Sequence, residues 1–280
     1  MSGPRWLGAG IGLRRAHVDP LLAAPEGRPS VLELTPSHFF ARLGEDDRLE
    51  RLAAGRTVVL HDVFASLATV GPLDLAHLDR VAEVARRSRA IAYTEHLAMT
   101  RSPSGVELGH LVPVPRTPAQ LAVLVDHVRE VGERLGLPVA LELPTTTLIH
   151  PRLAGSMSEG EFVTALVEAS GCELVLDVEN LRVDAHNFAA RAPELGVEAR
   201  LAGLPLAAVT HVQLAGGHEV EGWAIDSHQA PVPPSTWALL AGLRGRIDPR
   251  TIIVERDVAL PSVAELLAEA DEAARIFTGS

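Results

Sequence analysis

Eight short apolar runs recur along the chain, each followed by helical pattern or a long loop, and this alternation constrains the fold more than any other feature. The runs are Gly8–Leu13 (GAGIGL), Ser30–Leu34 (SVLEL), Thr57–His61 (TVVLH), Ala90–His96 (AIAYTEH), Pro138–Glu142 (PVALE), Glu173–Val178 (ELVLDV), Ala208–Leu214 (AVTHVQL) and Thr251–Glu255 (TIIVE). Strands covered on both faces read as short continuous apolar runs, which is what parallel sheets contain. Between them, Asp74–Arg87 sets Leu75, Leu78, Val81, Val84 and Ala85 on one stripe. Thr117–Leu135 opens with Thr117 as N-cap, Pro118 at the first helical position and Gln120 at the third, and stops on Gly136. Ser158–Glu161 is a capping box for a helix to about Ala169, and Pro261–Phe277 forms the last helix. Eight strands alternating with helices over 280 residues predict a (β/α)8 TIM barrel, with a doubly wound open sheet as its rival. No Pro/Gly/Ser-rich linker divides the chain, so residues 1–280 are expected to form one domain.

Composition removes several functional classes. The net charge of −11 opposes the basic face that nucleic-acid phosphates require. The one cysteine, Cys172, excludes an internal disulfide and any cysteine-rich zinc site, and is expected to pack in the barrel wall. Apolar runs reach only about six residues against the roughly 20 of a membrane span. The N-terminus has no long apolar segment of the secretory kind, so a cytoplasmic location is expected. GAGIGL lacks the spacing of a dinucleotide-binding loop.

In a barrel the C-terminal strand ends converge on one mouth. Here they carry Glu33, His61, Glu95-His96, Glu142, Asp177 with Asn180 three residues on, His211, and Glu255, while Asp226-Ser227-His228 follows the seventh strand. Any one strand-end histidine is more often a satisfied structural residue than a ligand. A strand-end carboxylate often pairs with a nearby arginine, as Glu255 could with Arg256, and Asp226-Ser227-His228 could be only a turn. Seven of the eight ends bearing a His or carboxylate is a different matter. Converging carboxylates repel unless cations neutralise them. Imidazole and carboxylate without thiolate suit iron, manganese or zinc. Four imidazoles (His61, His96, His211, His228), four carboxylates (Glu142, Asp177, Asp226, Glu255) and the Asn180 amide exceed the needs of one six-coordinate ion. They suit two or three ions, with Glu142 or Asp177 as the candidate bridge. Of the other histidines, His77 and His127 read as helix-surface residues, and His17, His110, His150 and His186 fall in expected loops. His218 is a candidate for a supporting or substrate role.

The ordered motifs resemble those of the multinuclear non-haem iron-dependent oxidative enzymes, the family that includes the methanobactin-biosynthesis oxidase. The matching segments are GIGLR at 10–14, LH at 60–61, EHLA at 95–98, LVPVP at 111–115 and LGLPVALE at 135–142. They continue with MSEGEF at 157–162, CELVLDVEN at 172–180, HVQLAGG at 211–217, IDSH at 225–228 and VERD at 254–257. The resemblance implies a xylose-isomerase-like barrel holding two or three mixed-valent iron ions, with His61, His96, Glu142, Asp177, Asn180, His211, Asp226, His228 and Glu255 as ligands. Asp177, His228 and Glu142 are the residues on which catalysis is expected to turn. It further implies O2 as co-substrate, a ribosomally made precursor peptide as substrate with cysteine as the modified residue, and a small partner protein that binds the peptide leader.

Three departures fall around the expected ligands. The second strand runs Glu33-Leu34-Thr35-Pro36-Ser37-His38 where the family has a Glu-Asn pair, the fifth has Leu143 after Glu142 where the family has Asn, and Glu95 stands where Asp is common. Such changes around ligands tune metal and substrate. Glu33, His38 and His218 are therefore the candidate substrate contacts, with His38 equally readable as a plain loop residue. Two other readings fit the same residues: a redox-neutral di- or tri-metal barrel (sugar isomerase or phosphoesterase), and a non-catalytic peptide-binding barrel.

Overall fold

The computed structural model describes residues 6–23, 27–146 and 155–279; His150 lies outside them. Eight parallel strands close into a barrel: β1 (Gly8–Gly12), β2 (Val31–Leu34), β3 (Thr57–His61), β4 (Ala92–His96), β7 (Val139–Glu142), β8 (Glu173–Asp177), β9 (Val209–Leu214) and β12 (Thr251–Val254). Each pairs with the next barrel strand in the chain. Gly8 opposite Thr251 and Gly10 opposite Val31 join the last strand through the first to the second. This closure excludes the open sheet. The seam is tight: a Cβ on Gly10 would lie 1.9 Å from the Val31 carbonyl oxygen, so only glycine lets the two strands approach this closely.

The strands are apolar for two different reasons. Alternate residues such as Leu32, Leu34, Val58, Leu60, Leu174, Leu176, Ile252 and Val254 face outward into one large cluster under the helices. The opposite parity faces the barrel axis. Early along the strands it holds Val31, Val59, Ala92 and Ile253, which form a separate small cluster. Two residues on, the same face turns polar.

The helices start and stop where their caps allow. Asp74 caps Leu75–Ser88 by accepting from the His77 N–H. Leu75, placed on the core stripe from the sequence, is 43% exposed, and His77 takes the buried side instead. Thr117 caps Pro118–Leu135 and Gly136 ends it in the left-handed conformation. Gln120 does not complete a capping box, because its amide donates to the Ala68 carbonyl at 2.7 Å. Reciprocal boxes do close at Ser158/Glu161, heading Glu159–Ser170, and at Ser262/Glu265, heading Val263–Thr278. Cys172 is buried in the large cluster.

Two hairpins interrupt the barrel at its C-terminal mouth. One pairs β5 (Met99–Arg101) with β6 (Glu107–Val112), and the other pairs β10 (Gly216–Val220) with β11 (Trp223–Ala230). The second places Asp226 and His228 on a strand where the sequence suggested a loop or turn. Among the described residues no helix is long and apolar enough to cross a membrane.

Candidate metal centre

Strand parity delivers the site. Glu33, His61 and Glu255 lie two residues beyond Val31, Val59 and Ile253 of the inner cluster and His96 four beyond Ala92, while Glu142 and Asp177 end β7 and β8 and His211 lies within β9. Glu95 has the outward parity of Tyr93. Its oxygens accept from the Ala65 and His96 backbone N–H groups at 3.0 and 2.9 Å, so only His96 of the Glu95-His96 pair enters the mouth.

The first group of facing atoms is His61, His96 and Glu142. Glu142 Oε2 lies 3.7 Å from His61 Nε2 and 3.4 Å from His96 Nε2. Glu142 Oε1 is held back by the Asn180 side-chain amide at 3.0 Å. His61 Nδ1 meets Thr94 Oγ1 at 2.8 Å, and that hydroxyl donates its only proton to the Leu60 carbonyl at 3.1 Å. Nδ1 must therefore carry the ring proton, which leaves a lone pair on Nε2.

The second group is Asp177, His228 and Glu255. Asp177 Oδ1 caps the helix Val178–Phe188 by accepting from Asn180 N–H at 2.8 Å, which turns Oδ2 toward His228 Nε2 at 3.8 Å. Asp226 Oδ1 approaches the same nitrogen to 2.8 Å without hydrogen-bond alignment. His228 Nδ1 lies 3.4 Å from Glu255 Oε2 and 3.4 Å from Asp257 Oδ2.

Buried polar atoms without a hydrogen-bond partner concentrate here. They include Glu142 Oε2, Asp177 Oδ2, Asn180 Oδ1, His211 Nε2, Asp226 Oδ1, both ring nitrogens of His228, Glu33 Oε1 and Gln213 Oε1. Buried groups are almost always satisfied, so nine such atoms in one mouth mark a place where another electrophile belongs. Nearly all are good donors to a hard or borderline cation. The donor set fits metal.

The charges agree. Burial pushes the His61 ring down to about 4, helped by the facing His96. Burial and Arg250 push His211 to about 3. Both rings are thus neutral, as ligands must be. Burial also pushes His96 down, but Glu142 and Glu95 outweigh it and hold the ring up at about 9. Burial raises Glu142 to about 7 against the pull of His96, and raises Asp177 and Glu33 well above the carboxylate range. Glu255 resists burial because His228 and Arg14 hold it down at about 2. Without a cation the mouth has to share protons among its carboxylates.

Several groups that matter here carry no pattern in the sequence. Arg14 reaches Glu255 at 3.2 Å and bonds Asp257 through Nε at 2.7 Å. The suggested Glu255–Arg256 pair does not form, since Arg256 bonds Glu269 at 2.9 Å. Asp62, fully buried, accepts from His77 Nε2 at 2.6 Å and from the Tyr93 hydroxyl at 3.0 Å. His77 is thus no surface residue, and neither is His127, whose ring bonds the Leu67 and Gly71 carbonyls. His17 is buried in a short turn against the Pro261 carbonyl, and His186 is helical. Exposed His110 lies on β6 rather than in a loop. Glu33 is buried at the mouth, accepting from Gln213 at 3.1 Å. His38 is exposed at the rim in the turn Pro36–Arg42, and His218 shares a hydrogen bond with Ser227 on the hairpin.

A family model described as "RiPP precursor modification enzyme MbnB/TglH/ChrH" matches residues 8–278. The chain belongs to this family of enzymes that modify precursor peptides. Among proteins of similar sequence, a UPF0276 protein of Pseudomonas aeruginosa is 33% identical over 94% of this chain and 90% of its own length. One of Chromobacterium violaceum is 33% identical over 97% and 95%. Among solved structures, a xylose isomerase domain protein from Alicyclobacillus acidocaldarius aligns with a TM-score of 0.57 at 16% identity, over 97% of this chain and 99% of that one. Endonuclease IV from Thermus thermophilus gives 0.57 at 15% over the same shares. At such identities the likeness is one of fold: this chain's barrel is xylose-isomerase-like.

Proposed function

We propose that this RiPP modification enzyme is an O2-dependent oxidase that uses two or three iron ions to oxidise a residue, cysteine in our reading, of a ribosomally made precursor peptide in the cytoplasm. The observation that carries the metal assignment is the concentration of partnerless donor atoms at one mouth. His61, His96 and Glu142 would hold one ion and Asp177, His228 and Glu255 another. Asn180, His211 and Asp226 supply the remaining donors. Glu142 and Asp177 are the carboxylates that would be shared between ions, since each is felt by groups of both clusters: Glu142 by His96 and by Glu255 and His228, Asp177 by His228 and by Glu142. When bound, mixed-valent iron supplies O2 activation and takes electrons from the substrate.

The chain's own groups do the rest. Thr94 fixes the His61 tautomer, Asn180 aims Glu142, and the helix cap aims Asp177. Arg14 holds Glu255 and Asp257 charged and in place. In this reading the peptide residue would lose four electrons and four protons, and one O2 would take them up as two waters. Glu33, His38 and His218 are proposed to face the peptide, and a small leader-binding partner protein is proposed to assist.

The test is the metal content of protein purified without added metal, with EPR on the same sample. Two or three irons per chain, with a coupled mixed-valent signal altered by a cysteine peptide and O2, is the expected result. Stoichiometric zinc or manganese, with no O2 consumption after anaerobic iron loading, would overturn the proposal in favour of a redox-neutral metalloenzyme.

A further inference from the structure

A groove of about 650 Å³ opens beside the metal centre and runs down the outside of the barrel between the segments that follow β1 and β2. Its lining collects Arg14, Arg15, Arg42, Arg48 and Arg87 around the apolar floor of Leu13, Val18, Phe39 and Leu49. Arg14 is paired with Glu255 and Asp257 of the mouth and Arg87 with Glu50, so Arg15, Arg42 and Arg48 stand against the lining acids Asp19 and Asp46, a small positive excess in a chain whose net charge is −11. The two aspartates are thinly spread. Asp46 lies 3.5 Å from both Arg42 and Arg48, and Asp19 lies 3.7 Å from Arg48. Exposed pairs of this kind contribute little, so their guanidinium groups can turn to another carboxylate at little cost. Arg15 is exposed and forms no ion pair among the described residues.

The groove and the metal mouth share a wall. Arg14 lines the groove and bonds Glu255 and Asp257 of the mouth. His38 stands on the same rim. An extended chain lying in the groove would therefore deliver its next residues to the mouth.

We infer that this groove is a subsite for an acidic segment, rich in Asp or Glu, of the precursor peptide adjoining the modified residue. The inference rests on the peptide-substrate reading above. Guanidinium groups spaced along a groove recognise successive carboxylates by paired hydrogen bonds. A peptide is favoured over a single small anion because the arginines meet separate acids: Arg42 and Arg48 share Asp46, Arg87 takes Glu50 and Arg14 takes Asp257, so no one point gathers them all. Since the protein as a whole repels acidic ligands, attraction of one reports the groove and not the average field.

The test is fluorescence anisotropy with two labelled peptides and the full-length protein, under argon, with metal present and after chelation. One peptide is a hexaglutamate stretch followed by glycine and cysteine; the other replaces every glutamate by glutamine. The glutamate peptide is expected to bind at least tenfold more tightly than the glutamine peptide, more weakly as salt rises. The double variant Arg15→Glu/Arg42→Glu should lose at least tenfold in affinity, while Arg129→Glu/Arg275→Glu, two exposed arginines elsewhere, should change it less than twofold. Equal binding of the two peptides, or equal loss in the two double variants, would overturn the subsite. Inorganic phosphate competing at micromolar concentration would overturn it in favour of a small-anion site. Binding is read without turnover, so failure of the iron assignment and failure of the groove are separable.

Discussion

The Thr94 hydroxyl donates its one proton to the Leu60 carbonyl and so accepts a hydrogen bond from His61 Nδ1–H, which leaves Nε2 with the ring's free lone pair. Thr94→Val keeps the shape and removes that constraint. Metal affinity should fall by about 10–100-fold, the usual cost of losing a group that orients a ligand. Thr94→Ser should retain it, and competition titration against a chromogenic chelator reads both. A second residue-scale prediction concerns His77. Burial lowers its pKa, but the Asp62 carboxylate outweighs burial and raises it above the ordinary value near 6.5. A raised folded pKa means the native state holds the proton more tightly than the unfolded chain. The stabilisation is then complete below about pH 6.5 and fades as pH climbs through the raised value. His77→Gln should cost about 1.5–3 kcal/mol at pH 6 in urea unfolding, with the gap narrowing at alkaline pH. A gap that widened with pH would contradict the ion pair. Arg14, Asp62 and His77 were illegible for one reason: their partners lie 15 to 243 residues away, and no local pattern encodes such pairs. The inward carboxylates and histidines were legible because each ends an apolar run.

The hairpin Gly216–Ala230 brings Asp226 and His228 over the mouth; a buried acid anchors its base, while Asn187 bonds both backbone groups of Ala224 nearer its tip at 2.8 and 2.9 Å. Glu179 accepts from the Gly217 N–H at 3.1 Å, from the Thr236 hydroxyl at 2.7 Å and from Arg182 at 2.7 and 2.9 Å. Glu179→Ala strands the buried Thr236 hydroxyl and frees the hairpin base. It should cost about 1–3 kcal/mol and speed amide exchange across 216–230 above that of the barrel strands. Retained protection there would show that the hairpin is held by other contacts. The hairpin was present in the sequence as apolar and polar alternation about Glu221-Gly222. These two residues take φ values of 51° and 82°, the two positive angles of a tight hairpin turn. The signal is weak because glutamate, unlike asparagine, seldom occupies the first position. The barrel strands and capped helices were legible because periodicity and caps are local. Gln120 at the third position shows the limit of such patterns: its amide could serve the N-cap or a neighbouring carbonyl, and packing gives it to Ala68.

At the scale of the whole molecule, the barrel concentrates Glu33, Glu142, Asp177, Asp226, Glu255 and Asp257 around one mouth with Arg14 as their permanent cation. Closure of the sheet brings these charges together, so part of the folding free energy goes against their repulsion. Protons relieve it partly, as the raised Glu142 and Asp177 indicate. Bound cations would relieve it more fully, and only the folded barrel assembles their ligands. Metal binding is therefore folding free energy: at a free concentration 100 times Kd, one site adds about 2.7 kcal/mol. For a chain of this size each kcal/mol moves the melting temperature by about 2–4 °C. Chelation followed by gel filtration should accordingly lower the melting temperature by on the order of 5–10 °C, and anaerobic ferrous iron should restore it. Glu142→Gln should melt at a temperature that responds less to either treatment, because it removes the carboxylate oxygen that faces both His61 and His96. High salt should not substitute for the metal, since screening acts weakly on buried charges. A melting temperature indifferent to complete, independently verified metal loss would mean that the barrel balances its own charges, and that the partnerless donors at the mouth answer to something other than a cation.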